Sequence, residues 1–339
     1  MDNEIHYFIN SNSAKGFVSF FKSNFGPLEQ MIKLDNYPTA VVQSIIEKAG
    51  VIACEKGYRQ EIIHSCIDNS VEGMILPQLK TGLLNIPVYI DYGYSVYKLM
   101  ENETVRQMQQ ALSQAHGYLK KALAIHDEWE KIYIANMNFA KMNQLTSEVI
   151  LKLLGGHTQN KKGSSVNRFF GASTADGPVD YIESVTQTVG KRYFIKGRPG
   201  TGKSTFLKKI AERAVTNGYH TEIYHCAFDP SSLDLIVIRD LDLCLFDSTA
   251  PHEHFPSRDN DEVIDIYSQV VKANTDESHR EEITRVQSAY KEQVAHAAEC
   301  LQRANACNQR HQAALTEQID SAKCKRAVNR AVMKLLKIK

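Results

Sequence analysis

The run Gly197-Arg198-Pro199-Gly200-Thr201-Gly202-Lys203-Ser204 places glycines, a lysine and a hydroxyl at the spacing G-x-x-x-x-G-K-[ST]. Each residue type has a use at its place. Gly197 and Gly202 permit backbone dihedrals and a close approach that a Cβ would obstruct. Successive backbone N–H groups can then converge on an anion. A helix starting there adds its partial positive charge beneath the same group. Lys203 can reach β- and γ-phosphates, and the Ser204 hydroxyl can ligate Mg²⁺. The segment from Gly197 to Thr205 is therefore expected to hold ATP–Mg²⁺, with Arg198 either touching phosphate or turned to solvent. Leu243-Cys244-Leu245-Phe246-Asp247 is an apolar run ended by a carboxylate, and Asp247 is the expected second group at the metal. Asp229 either contacts a substrate or water near the γ-phosphate or caps the turn before Ser231-Ser232. His252 and Glu253, just beyond Asp247, are candidates for orienting water or a second substrate.

The surrounding pattern supplies the elements such a loop needs. Tyr193-Phe194-Ile195 reads as a buried strand before the loop. Thr205 to Ala211 has helical periodicity and runs to Gly218, a natural stop. Thr221 to Cys226 and Leu243 to Asp247 read as further strands, Arg168 to Gly171 as a short one, and Gly177 to Val189 as a short helix. No convincing strand follows Asp247.

The chain also repeats itself. Shifted by 161 residues, so that Ala14 falls on Ala175 and Asp68 on Asp229, it matches without gaps from Phe8 to Ser70. Gly57-Tyr58-x-x-Glu61-Ile62-x-His64 against Gly218-Tyr219-x-x-Glu222-Ile223-x-His225 is the densest part. Ala115-His116 recurs as Ala295-His296, so the offset grows to about 180. The expected fold is α/β, built of two tandem P-loop NTPase-like three-layer α/β/α units, each followed by a helical hairpin. Residues 1–154 form the first unit with helices from about 99. Residues 155–167, rich in Gly, Ser, Asn and Lys, form a linker. Residues 168–339 form the second unit, with helices from about 262. In the first unit Asn36, Val41, Val42 and Gln43 replace Gly197, Gly202, Lys203 and Ser204, so the phosphate chemistry is lost and this copy reads as a pseudo-domain.

Val105, Met108, Leu112, Ala115, Leu119, Ala122, His126, Trp129 and Tyr133 alternate in steps of three and four. Ile283, Val286, Tyr290, Val294, Ala297, Leu301 and Ala304 do the same. Such seams make helix contacts, within the chain or with a protein partner. His126 reads as a packed histidine and Trp129 as core. The basic end from Lys323 to Lys339 reads as a solvated face, with nucleic acid an unfavoured partner.

Composition narrows the class. With 339 residues, 43% apolar and 23% charged, the chain suits about two soluble domains. A formal net charge of +1 gives no general attraction to polyanions. There is no leader-like N-terminus and no apolar run long enough for a membrane span. Seven scattered cysteines without a Cys-x-x-Cys pair fit reduced thiols in a cytoplasm.

Ala14-Lys15-Gly16-Phe17, Ile195 to Thr205, His225 to Pro230, Phe246 to His252 and Ile125-His126-Asp127-Glu128-Trp129-Glu130 resemble a family of bacterial tandem P-loop ATPases of unknown substrate, with nucleotide-kinase-like domains. The resemblance implies ATP binding and duplication. It also implies a glycine-rich loop in both halves, from which Asn36 to Gln43 departs. Three functions are thus open: Mg²⁺-dependent ATP hydrolysis at one site, with Lys203, Asp247 and Asp229 as catalytic candidates; phosphoryl transfer to a small molecule or nucleotide; and a nucleotide-gated interaction protein.

Overall fold

The computed structural model describes residues 3–35, 37–86, 102–249, 253–318 and 320–338. The chain is mixed α/β. It opens with β1 (Glu4–Phe8), β2 (Asn10–Ser13), β3 (Gly16–Ser19), α1 (Phe21–Phe25), β4 (Gln30–Asp35), α2 (Thr39–Glu55), β5 (Gln60–His64), β6 (Val71–Leu76) and β7 (Thr81–Ile86). Helices α3 (Glu103–Ala135) and α4 (Phe139–Leu154) follow, each started by an asparagine, Asn102 or Asn138, whose side chain accepts a first-turn N–H.

The second half repeats the order element for element. It runs β8 (Ser164–Arg168), β9 (Gly171–Thr174), β10 (Gly177–Asp180), α5 (Ile182–Thr186), β11 (Lys191–Lys196), α6 (Lys203–Thr216), β12 (His220–His225), β13 (Leu233–Ile238) and β14 (Leu243–Asp247). It then adds β15 (Glu262–Asp265), α7 (Ile266–Val270) and α8 (Thr275–Ser278) before α9 (Arg280–Glu317) and α10 (Ser321–Leu335). The sheets share one topology, β1-β5-β6-β7-β4 and β8-β12-β13-β14-β11, with β15 added beside β11.

An approximate two-fold axis relates the halves. Phe8 and its counterpart Phe169 exchange both backbone hydrogen bonds at 2.8 Å. The Ala14 N–H donates to Phe228 O, and the equivalent Ala175 N–H donates to Ile67 O. The His6 N–H donates to Ser184 Oγ, and the Asn167 N–H to Ser23 Oγ. Contacts that repeat with partners exchanged are what a two-fold relation requires. Near the axis Arg168, Arg59 and Arg239 gather the buried carboxylates Glu61 and Glu222. Burial opposes the charge on Glu222, but Arg239, Arg168 and Arg59 outweigh it and hold its carboxyl well below the usual range.

Several expectations change. Asp176-Gly177 turns a β9–β10 hairpin, with Gly177 at φ +109°, so the helix expected over Gly177 to Val189 shrinks to α5. Strand β8 begins at Ser164, inside the expected linker, and Phe169 and Phe170 separate it from β9. Strands β13 and β15 were not anticipated. Each half is also less than a complete three-layer unit. Helices α2 and α10 cover the outer face of the first sheet, burying Val42, Ile45, Met74, Leu83, Val332 and Leu335 together. Helices α6, α4 and α7 cover the second, around Leu153, Phe206, Leu207, Ile236, Leu245 and Ile266. The inner faces share a core: Tyr7, Ile63 and Leu84 pack with Phe194, Tyr224, Val237 and Phe246, and with the short helices α1 and α5.

The helical segments are exchanged rather than folded back as local hairpins. Helix α4 lies on α6 and α7 of the second half, and α10 on α2 of the first. Helices α3 and α9 pack antiparallel, joined by Ala111, Ala115, Leu301 and Ala304 among others. No helix among the described residues is long and apolar enough to cross a membrane.

Candidate functional site

The glycine-rich loop joins β11 to α6. Strand β11 lies between β14 and β15, parallel to both, and Ile195 pairs with Asp247. The loop and the carboxylate therefore leave the same sheet edge side by side, at the carboxyl ends of parallel strands. Gly200 and Gly202 are left-handed, φ +75° and +84°. A Cβ on Gly197 would lie 2.7 Å from Thr201 Oγ1, so the first glycine is required by contact. Thr201 Oγ1 donates to Arg198 O at 2.8 Å and fixes the turn.

Lys203 folds back over the loop. Its Nζ donates to Arg198 O at 2.9 Å and stands 3.6 Å from Asp247 Oδ2. Thr249 Oγ1 donates to Asp247 Oδ1 at 2.6 Å. No side chain caps the N-terminus of α6 at Gly202, leaving that end of the helix to an anion or solvent. Ser204 Oγ accepts from the Leu233 N–H at 3.0 Å and retains its own O–H. Pro199 is half-buried, and Thr205 is exposed on the first turn of α6.

Other candidates are engaged elsewhere. The Arg198 guanidinium donates to Asp276 Oδ2 at 2.9 Å and lies 4.9 Å over the Tyr267 ring. Asp229 caps its own turn, accepting from the Ser231 N–H and Ser232 Oγ, and pairs with Lys15 of the first half at 2.9 Å. Glu253 pairs with Lys196 at 3.1 Å. His252 lies outside the described residues, as does Asn36 of the first half's loop.

What sequence reasoning missed is the roof. The C-terminal part of α3, a helix of the first half, lies on the loop of the second. A Cβ on Gly200 would stand 2.7 Å from Glu130 O and 3.0 Å from Glu130 Cβ. His126, Asp127 and Glu130 bring one polar atom each within 4.8 Å of one another, with His126 Nδ1 3.7 Å from Glu130 Oε1. Burial, then the charge of Asp127, pushes the Glu130 carboxyl up; the Gly200 N–H and Lys203 pull the other way. Burial pushes the His126 imidazole down. His126 is packed against Phe228 and Tyr290, as its place on the stripe implied. Trp129 is only partly buried, in a small cluster with Tyr133, Ile283 and Tyr267 rather than in a main core. Tyr133 Oη donates to Asp276 at 2.9 Å, so Asp276 ties α3 to Arg198 of the loop.

The counterpart loop in the first half is closed by protein. Val42, in the Lys203 position, is fully buried in the core under α2. Gln312 of α9 accepts from the Thr39 N–H at 2.9 Å and from Thr39 Oγ1 at 3.2 Å. Compared with known proteins, the chain matches no family model, no curated sequence and no solved structure.

Proposed function

We propose that the second half binds ATP–Mg²⁺ at Gly197 to Thr205 and hydrolyses it, with one site per chain, the first half having lost the chemistry. The observation that carries this reading is the convergence of Lys203 and Asp247 on a left-handed glycine turn that opens α6 without a side-chain cap. These groups fit a polyphosphate. The loop N–H groups and the helix N-terminus favour anionic oxygens. The Lys203 ammonium, which donates to Arg198 O, would exchange that oxygen for a phosphate oxygen. The Ser204 hydroxyl and the Asp247 carboxylate are the residues that would hold Mg²⁺, which when bound neutralises charge developing on the phosphates. Asp229, where a small-molecule phosphoryl acceptor would be expected to bind, is instead spent on its own turn and on Lys15, which favours hydrolysis over transfer. The resemblance to tandem P-loop ATPases agrees with the reading, which carries with it the cytoplasmic setting expected from the sequence.

The test is calorimetric titration of ATP with and without Mg²⁺, with phosphate release followed on the same sample. Binding near one equivalent per chain with Mg²⁺-dependent release supports the reading. No binding by the intact protein overturns it and leaves an interaction protein.

A further inference from the structure

The internal duplication sets each loop under an equivalent helix of the other half. Across the sheets the equivalent residues differ by 161, but in the arms the contacts repeat at an offset of 182. Glu130 lies on Gly200, and Gln312 caps Thr39. Tyr290 stacks edge-on against Phe228, and Met108 packs with Ile67. Ala115, Leu119 and Ala122 are buried as Ala297, Leu301 and Ala304 are. The offset of 180 suggested by Ala115-His116 is therefore two residues short; a two-residue match cannot set a helix register, and the contacts do.

In this register the roof over the intact loop carries His126, Asp127 and Glu130. The roof over the degenerate loop carries Asn308, Gln309 and Gln312. Every group able to take or give a proton has an amide in its place. Two of the amides keep a bond to the half they cover: Asn308 Nδ2 donates to Asp68 at 2.9 Å, and Gln312 Oε1 accepts from the Thr39 N–H. A residue kept only to pack α3 on the loop would have no reason to follow the loss of the lysine and serine. The second half has little to offer instead. Asp247 faces Lys203, Asp229 caps its turn, and Asp276 holds Arg198.

We propose that Glu130, carried across the two-fold axis by α3, is the catalytic carboxylate that accepts the proton of the attacking water at the second half's nucleotide site. This rests on the ATP hydrolysis proposed above. In the step, the water oxygen bonds to the γ-phosphorus as the bond from that phosphorus to the β,γ-bridging oxygen breaks. The electron pair leaves with ADP, and the water proton goes to a Glu130 carboxylate oxygen and from there to solvent. His126 Nδ1 lies 3.7 Å from Glu130 Oε1 and borders the carboxylate without a direct hydrogen bond to it.

The decisive variant is Glu130→Gln, which installs the amide the inactive half already carries at Gln312. Full-length wild type and variant are compared by ATP calorimetry and by single-turnover phosphate release between pH 5 and 9. The expected result is retained affinity and a rate lowered by about 10²–10⁴-fold, the usual worth of a general base. The wild-type rate should rise with pH through the titration of Glu130, whose charged neighbours are Asp127, Lys203 and Asp229, and that limb should vanish in the variant. Glu130→Asp should restore part of the rate, which a merely structural role would not predict. A variant that hydrolyses ATP at the wild-type rate overturns the proposal while leaving the ATP site standing. Tighter binding with unchanged turnover also overturns it, making Glu130 a competitor for the phosphate position. Failure of the wild type to bind or hydrolyse ATP overturns the function and this inference with it.

Discussion

The contact of α3 with the loop can be measured through one methyl group. Gly200 has φ +75°, and an added Cβ would meet the backbone of Glu130 at 2.7 Å and 3.0 Å. Gly57 and Gly16 are also left-handed, at φ +69° and +86°, but a Cβ there meets nothing within 4 Å. Gly57→Ala and Gly16→Ala therefore report the cost of the left-handed backbone alone, about 1–2 kcal/mol. Gly200→Ala adds a collision with helix backbone, which cannot rotate aside as a side chain could; such overpacking costs a further ~1–3 kcal/mol. Denaturant unfolding of the three variants gives the difference directly. The strain can instead be relieved by lifting α3, in which case the excess appears as faster amide exchange over residues 126–133 with little change in global stability. Either form of excess supports the roof. A Gly200→Ala protein no less stable than Gly57→Ala, with α3 exchange unchanged, would refute the placement of α3 on the loop and the assignment of Glu130 that depends on it.

Lys203→Ala should abolish or greatly weaken ATP binding by calorimetry, while Val42→Ala in the equivalent position of the first half leaves it intact; equal effects would overturn the single-site reading. Asp247→Asn should lower Mg²⁺-dependent phosphate release more than nucleotide affinity, and unchanged turnover would remove Asp247 from the metal site. Glu72 is buried with Asn10 donating to it at 3.1 Å, and burial, then the charge of Asp68, pushes its carboxyl from 4.5 up to about 8. A raised carboxyl favours the neutral form in the folded protein, so its stabilising effect is full below pH 4.5 and is lost as pH rises towards 8. At pH 7 the withheld stability is on the order of 3 kcal/mol, and Glu72→Gln should recover much of it and flatten the stability profile between those limits; an unchanged profile would show that Glu72 is not the group responsible.

The loop and its supports were legible because their signals are local. Glycine spacing, an apolar strand ended by Asp247 and a helix running to Gly218 all lie within about fifty residues and obey backbone rules that hold in any fold. The repeat was legible because identities such as Gly57-Tyr58 and His64 lie at one fixed shift. The hairpins at β2–β3 and β9–β10 were missed although Asp176-Gly177 is a turn signal, since Val179, Ile182 and Val185 happen to fall at helical spacing as well. Strand β15 was missed because Glu-Val-Ile-Asp is too short to declare itself, and only its pairing with β11 makes it a strand. The roof was illegible for a deeper reason. His126 and Glu130 lie about seventy residues from the loop they cover, on a stripe whose periodicity announces a helix contact without naming the partner.

That exchange of arms also explains how a half without the glycine-rich loop can persist beside one that keeps it. Helix α4, read from sequence as the end of the first unit, buries Met142, Val149, Leu153 and Leu154 in the core beneath α6. Helix α10, at the end of the second, buries Val328, Ala331, Val332 and Leu335 against α2 and the first sheet. Each sheet is thus covered on its outer face partly by a helix from the other half and on its inner face by the other sheet. The replacement of glycine, lysine and serine over residues 36–43 removes nothing from these contacts; a buried valine at position 42 even suits the core better than an ammonium would. Loss of the first half's fold, by contrast, would take α3 from the intact loop and α4 from the helix that loop opens. The constraint on the first half is therefore one of packing and of what α3 carries. It keeps His64 and Asp68, the counterparts of His225 and Asp229, while leaving the loop free to degenerate.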